Sequence, residues 1–303
     1  MSAARIDAPL VSVVLSVHDG GPALLRAVRS LQWQTHRDWE LILLDDGSTD
    51  GACDRVAALG DVRIRILRDG RRRGLAARLN EGVAQARGVF LARMDADDVA
   101  FPERFARQVS FLQAHPEVDL LATSALLVDE ADAVVGVLAT QTTHDAICRR
   151  PWHGFPMPHP TWMGRTAWFR RHPYDEEARK GQDQALLVRT WRHSRFAGLP
   201  EVLLGYRYAR LSLHKTLAGR RHFVRALWRH GRAGDALAGA ALHGGMAVRD
   251  MLALATGTGT AIIRRRVGSV PPQALAGWRD CLSRLRAAES TEGGQQPCAA
   301  SPG

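Results

Sequence analysis

Aliphatic blocks and helical-period stretches alternate through the first hundred positions. Val11–Val17 is rich in β-branched residues and predicts a strand. His18-Asp-Gly-Gly21 interrupts it, and Pro22 opens a helix to about Gln34, with Leu24, Leu25, Val28 and Leu31 at helical spacing. Strands over Trp39–Leu44 and Val62–Leu67 follow, then helices over 51–59 and 75–87 complete their units, with Asp50 as the candidate cap of the first. A fourth strand, Val89–Met94, starts behind Gly88. Four strand–helix alternations predict an α/β fold built on a doubly wound, mostly parallel mixed sheet flanked by helices.

The pattern changes beyond residue 100. Phe101–His115 predicts an amphipathic helix, and Leu120–Val128 with Val134–Leu138 predict a hairpin closed by the acidic turn 129–132. Three prolines in Trp152–Pro160 forbid a regular element there. An apolar-periodic helix begins near Asp183, and Leu203–Tyr208 predicts another strand. Residues 216–267 carry a helical pattern, Gln273–Ala288 a short amphipathic helix, and 290–303 the composition of a disordered tail. The expected division is an N-terminal tail (1–8), a catalytic domain (9–215), a basic C-terminal helical extension (216–289) and the tail (290–303).

Charge alters this picture only at the C-terminal end. Residues 201–303 hold 15 basic and 6 acidic side chains, +9 of the chain's net +10. Arg220, Arg221, Arg225, Arg229 and Arg232 alternate with Phe223, Leu227 and Trp228. A basic helix of this kind suits an anionic membrane surface, and a packed helical cap is the other reading. Cys53, Cys148, Cys281 and Cys298 lack paired spacing, against a disulfide framework or zinc site. Met1–Asp7 has no signal-peptide apolar core, and no run of about 18 apolar residues predicts a membrane span. A cytoplasmic protein, with peripheral contact to the inner face of the membrane, is expected.

Candidate chemistry concentrates where strands end. The fourth strand runs into Asp95, Asp97 and Asp98, and the second into Asp45 and Asp46. In a parallel sheet these ends share the ligand-binding edge. Grouped carboxylates repel one another unless a cation intervenes, and a hard divalent metal held jointly with substrate phosphates is one answer. The other is an acidic turn in which Asp98 caps the next helix. No glycine-rich phosphate loop of either common type follows the first strand, against a dinucleotide dehydrogenase or P-loop enzyme.

Four segments in order, Pro9–Val17, Leu43–Asp50, Arg73–Asn80 and Ala92–Asp98, resemble the family 2 glycosyltransferases, inverting nucleotide-sugar enzymes of the GT-A fold. The resemblance covers about residues 9–210. It implies that Val17, His18 and Asp19 meet the nucleotide and that Asp46 hydrogen-bonds its base. It implies the D-x-D signature at Asp95 and Asp97, with Asp97 on Mn2+ or Mg2+ and Asp95 on ribose or metal. Arg71 and Arg78 belong to the implied nucleotide-sugar set, although Arg71 to Arg73 read equally as solvated. His159, in a His-Pro pair, is implied beneath the donor sugar on the metal side, or is a buried hydrogen-bonded histidine. Asp183 matches the catalytic base, with Gln182 where the family carries Glu; its alternative is a helix cap. Tyr206-Arg207 and Ser212–Lys215 resemble the family's Tyr-Arg segment and following loop, which implies Arg207, His214 and Lys215 closing over the diphosphate; an exposed basic turn is the other reading.

The implied partners are a nucleotide-sugar donor, of UDP type, and a saccharide or lipid-linked acceptor in cell-envelope polysaccharide assembly, with no nucleic acid. Two rivals keep distinct signatures: a sugar-phosphate nucleotidyltransferase, which releases pyrophosphate, and a nucleic-acid binder using the basic tail, whose affinity falls steeply with salt.

Overall fold

A computed structural model describes residues 10–178, 180–208, 213–255 and 267–293. The expected tail at 1–8 and most of that at 290–303 lie outside these residues. The first half follows the predicted alternation: β1 (Val11–Val17), α1 (Gly21–Gln32), β2 (Trp39–Asp45), α2 (Ala52–Ala57), β3 (Ile64–Arg68), α3 (Leu75–Gln85) and β4 (Phe90–Arg93). β1 pairs in parallel with both β2 and β4, and β2 with β3. Alternation along β1 serves two cores. Val11, Val13, Leu15 and Val17 pack with α1 and α2, while Val14 packs with α3. Gly82 lets α3 lie close to the sheet, since a Cβ there would stand 2.4 Å from the Val14 side chain.

The second half mixes directions. It comprises β5 (Val99–Ala100), α4 (Arg104–Ala114), β6 (Leu120–Val128), β7 (Val134–Leu138), α5 (His144–Cys148), a 3-10 turn (His159–Thr161), β8 (Met163–Arg165), α6 (Thr166–Arg171), α7 (Gln182–Thr190) and β9 (Phe196–Arg207). The sheet order is β3-β2-β1-β4-β8-β6-β9-β5, with β7 beside β6. β6 and β9 run parallel, whereas β8 is antiparallel to β4 and β6. The three-residue β8 and the two-residue β5 are too short to leave a periodic signal, and the sequence reading lacked both. β9 starts seven residues earlier than expected because Pro200 sits in a register shift against β6.

The helical extension is α8 (Leu213–His230), α9 (Ala233–Ala255) and α10 (Pro272–Gly293). α8 buries Phe223, Ala226 and Leu227 against the core, and α10 buries Trp278 and Cys281 against β5–β7. The continuous helical pattern expected over 216–267 is broken at Gly231, and 256–266 lie outside the described residues.

Candidate active site

The carboxyl ends of β2, β1 and β4 open on one edge. Val17 of β1 is level with Asp45 of β2, and Val14 with Arg93 of β4. Asp46 and the acid loop 95–98 therefore lie two strand spacings apart, roughly 10 Å.

The Asp46 side of the edge is built from satisfied bonds. Val17 is buried, and its carbonyl accepts the Asp46 amide at 2.7 Å. Nδ1 of His18 lies 3.0 Å from the Asp46 carbonyl oxygen. Asp19 adopts φ of +49° and reaches across to the neighbouring loop, receiving the Thr49 amide at 2.8 Å. The Asp46 carboxylate accepts the amides of Arg73 (2.6 Å) and Gly74 (3.0 Å) and Nε of Arg78 (3.0 Å). Arg78 is fully buried and also binds Asp69, Glu81 and the Arg71 carbonyl. Expected among the nucleotide contacts, Arg78 instead spends its guanidinium inside the protein, where it shapes the 69–74 loop. Arg71 itself is exposed on that loop.

The acid loop has the opposite character. Asp97 is half-buried, and among the described residues its carboxylate makes no ion pair and no hydrogen bond beyond its own backbone amide. Burial, and then the Asp95 charge, push its carboxyl up to about 6. Asp98 is fully buried and held well above the usual carboxylate range by burial and by Asp95 and Asp97. It does not cap α4, whose cap position is Glu103; its Oδ1 accepts the Arg207 amide at 3.1 Å, and Oδ2 has no partner among the described residues.

Beneath the loop stands Arg93, 2% exposed, whose guanidinium pairs with Asp95. Its positive charge also reaches Asp97, Asp98, Asp183 and Tyr174. Sequence reasoning missed Arg93, although a cation inside an otherwise apolar buried strand was the available signal. Tyr174 was also missed, and Tyr206 was read only as part of the Tyr206-Arg207 segment. Both phenols are raised, first by burial; Asp183 and Asp95 raise both further, and Asp98 adds to Tyr206.

Asp183 enters from α7. Gly181, at φ of +72°, occupies the cap position, and no side chain caps the helix. Asp183 is thus not the cap. Burial raises its carboxyl; the Gln184 amide and Arg93 oppose that, and Asp95 adds to it. Its neighbour Gln182 is buried, and its Oε1 has no partner among the described residues. The helix is fixed by Gln184, which accepts the Phe155 amide at 2.8 Å and donates to the Phe155 carbonyl at 3.1 Å. Asn80 similarly brackets Tyr174, accepting its amide at 2.8 Å and donating to its carbonyl at 3.0 Å.

Two expected ligand contacts take other positions. His159 is buried with Nε2 2.9 Å from the Tyr174 hydroxyl, and burial together with Arg93 holds its imidazole well below the usual range. It fills the hydrogen-bonded reading rather than facing a metal. Arg207 was expected over the diphosphate. Its guanidinium instead donates to the carbonyls of Asp97, Asp129 and Glu130 and to Asp132 at 2.6 Å, fastening the acid loop to the β6–β7 turn. The side chains of His214 and Lys215 lie outside the described residues.

Among the described residues no three His, Cys, Asp or Glu side chains are grouped to hold a metal by themselves. The donor set still fits a hard divalent cation that takes one or two carboxylates and fills its shell with phosphate oxygens and water. Asp97 offers the unpaired carboxylate such an ion needs, and Asp95 stands next to it.

Residues 12–126 match the family model for glycosyl transferase family 2. The putative glycosyltransferase EpsE of Bacillus subtilis is 33% identical over 165 residues, 54% of this chain and 58% of that protein. The chain therefore spans little over half of EpsE. The O-antigen biosynthesis protein RfbC of Myxococcus xanthus is 38% identical over 119 residues, 38% of this chain and 9% of RfbC. In fold, the chain is similar to the 1–349 part of S. aureus TarS in complex with UDP-GlcNAc. The TM-score is 0.61 at 17% identity, over 91% of this chain and 81% of that one. The segment that matches this family model lies on a mixed sheet flanked by helices, the fold it shares with TarS.

Proposed function

We propose that this chain is a family 2 glycosyltransferase that transfers a sugar from a nucleoside diphosphate sugar, of UDP type, to a saccharide or lipid-linked hydroxyl, with inversion at the anomeric carbon. The observation that carries the reading is the charge arrangement around Arg93: an unpaired Asp97 and a raised Asp183 on separate elements, within electrostatic reach of the same buried cation. The UDP-GlcNAc held by TarS, of the same fold, supports the donor class. RfbC's role in O-antigen biosynthesis supports an envelope polysaccharide setting.

In this mechanism the base of the nucleotide sits over the loops that Asp46 and Arg78 hold in shape, beside Val17, His18 and Asp19. Asp97, with Asp95, would hold Mn2+ or Mg2+. Such an ion offsets charge on the departing diphosphate. Asp183 accepts the proton of the acceptor hydroxyl as that oxygen attacks from the face opposite the leaving group. Its raised carboxyl, lifted first by burial, makes it a stronger base than an exposed aspartate, and the Gln184 amide and Arg93 oppose that rise. The single displacement leaves no covalent enzyme intermediate. Screening nucleotide sugars for thermal stabilisation, with and without Mn2+, tests the donor. Release of pyrophosphate instead of nucleoside diphosphate would overturn the transfer in favour of nucleotidyl chemistry.

The C-terminal helices suit an anionic bilayer surface as a further partner. α9 leaves Leu237, Val248 and Met251 exposed, and the surrounding region carries +9. None of the helices among the described residues is long and apolar enough to cross a membrane. Flotation with phosphatidylglycerol vesicles but not phosphatidylcholine vesicles is the expected result; equal recovery with both would remove the charge argument.

A further inference from the structure

The acid loop 95–98 leaves β4 inside the sheet and enters β5, the last strand in the sheet order. β5 is two residues long, against about five or six for an ordinary strand. Its ladder with β9, Val99 opposite Gly205 and Ala100 opposite Leu204, is too short to hold the loop by itself. Side chains from elsewhere complete the anchor. α1 takes the Ala100 side: the Ala100 amide donates to Oγ of Ser30 at 3.0 Å, and the Ala100 carbonyl accepts Nε1 of Trp33 at 3.2 Å. Val99 and Phe101 alternate to the opposite face, where α10 covers them.

Trp278 is the centre of that cover. It is buried and lies nearly parallel to the Phe101 ring, with 18° between the planes and 6.5 Å between the centroids. Its indole also rests on Gly205, where a Cβ would stand 2.4 Å from the ring. Nε1 donates to the Asp132 carbonyl at 3.1 Å and fixes the plane of the indole. Ala274, Cys281 and Leu285 bury the rest of α10 in the same cluster. Two positions beyond Gly205 is Arg207, whose amide reaches Asp98 and whose guanidinium reaches the Asp97 carbonyl. One side chain of the C-terminal extension thus touches both the strand that follows the acid loop and the strand that carries the loop's clamp. α10 lies outside the segment 12–126 that matches the family model.

We infer that Trp278 is a positioning residue of the acid loop, so that α10 is a working part of the site proposed for the metal and the diphosphate. Asp95, Asp97 and Asp98 are three acids within four successive positions. Their mutual repulsion spreads a loop that is not held at both ends. β4 holds one end within the sheet. At the other, the stack on Phe101 and the seat on Gly205 keep β5 and Arg207 in register with each other. A site is only as exact as the packing behind its ligands. The inference rests on the transferase reading for what the loop binds, while the mechanical link from Trp278 to the loop is independent of it.

The test uses the full chain with Trp278→Leu, which removes both the stack and the indole N–H, and Trp278→Phe, which keeps a ring over Phe101 and Gly205. UDP binding is measured by calorimetry with Mn2+ and with EDTA. In Trp278→Leu the gain in UDP affinity that Mn2+ confers is expected to fall about tenfold, the scale of a lost support behind a metal ligand. Binding in EDTA, which reads the Asp46 side, should change less than about twofold. Trp278→Phe should recover the gain to within about threefold. An unchanged gain in Trp278→Leu overturns the inference, and so does the same loss with and without Mn2+, which marks a general loss of structure. Amide hydrogen exchange without any ligand is the independent arm. Segments 95–101 and 204–207 should exchange faster in Trp278→Leu, with β1 and the 45–50 loop unchanged; uniform acceleration, or none, overturns the link. Where Trp278→Leu does not fold, Phe101→Leu breaks the same stack from the other side and carries the same expectations in both arms. Absence of UDP and Mn2+ binding in the unaltered chain would defeat the transferase reading, and the exchange arm would still decide for or against Trp278.

Discussion

Asp46 and Asp97 end neighbouring parts of one sheet edge yet live in opposite electrostatic states. Asp46 is bracketed by two backbone amides and a buried arginine. Asp97 has no partner for its carboxylate among the described residues beyond its own amide and is raised by burial and by Asp95. An acid whose bonds are complete shapes its surroundings; an acid left incomplete, at a cost in folding free energy, is available to a ligand.

The comparison breaks most sharply at Asp183. Asp183→Asn should lower the transfer rate by about 10²–10⁴-fold, with donor affinity retained, measured by nucleoside diphosphate release beside donor calorimetry. Unchanged turnover would remove it as the base. On the completed side the expected effect is on stability. Arg78→Met should cost about 3 kcal/mol in denaturant unfolding because it strands the buried Asp46 carboxylate. A loss no larger than that of an exposed arginine would show that the bracket is dispensable.

The smallest effect has the opposite sign. Asp97 has a folded-state pKa above its unfolded value, so between roughly pH 4 and 6 the folded protein binds more protons than the unfolded one. This carboxyl therefore opposes folding at pH 7, and its penalty is relieved as pH falls through about 6. Asp97→Asn should raise metal-free stability at pH 7 by about 1–3 kcal/mol, and that gain should shrink towards pH 4. Loss of stability in the variant at pH 7 would mean that Asp97 is already paired.

The parallel half of the sheet was legible because β1, β2 and β4 are buried on both faces and α1 and α3 are long enough to repeat. Asp97 and Asp183 were legible as candidates because acids directly after an apolar run, or at the start of an apolar helix, stand out locally. Arg78 and Arg207 were misread for one physical reason. Sequence shows that a cation is near a ligand site, but not whether protein carbonyls and carboxylates 7 to 110 positions away have already taken its donors. β5 and β8, two and three residues long, exist through their pairing with β9, β4 and β6 and have no periodicity of their own. Arg93 escaped because its role lies in the charges it faces, which only the folded chain assembles.

The Asn80 amide has a topological consequence. It joins positions 94 residues apart in the chain, so everything from α3 to Tyr174 is a loop that departs from and returns to one side chain. The acid cluster lies inside that circuit and Asp183 just outside it. A lengthened turn within the circuit, at the β6–β7 hairpin for example, is absorbed there, because the return point is pinned independently of the path taken. One amide thereby lets the distal part of the molecule be remodelled while the two ends of the reaction keep their spacing.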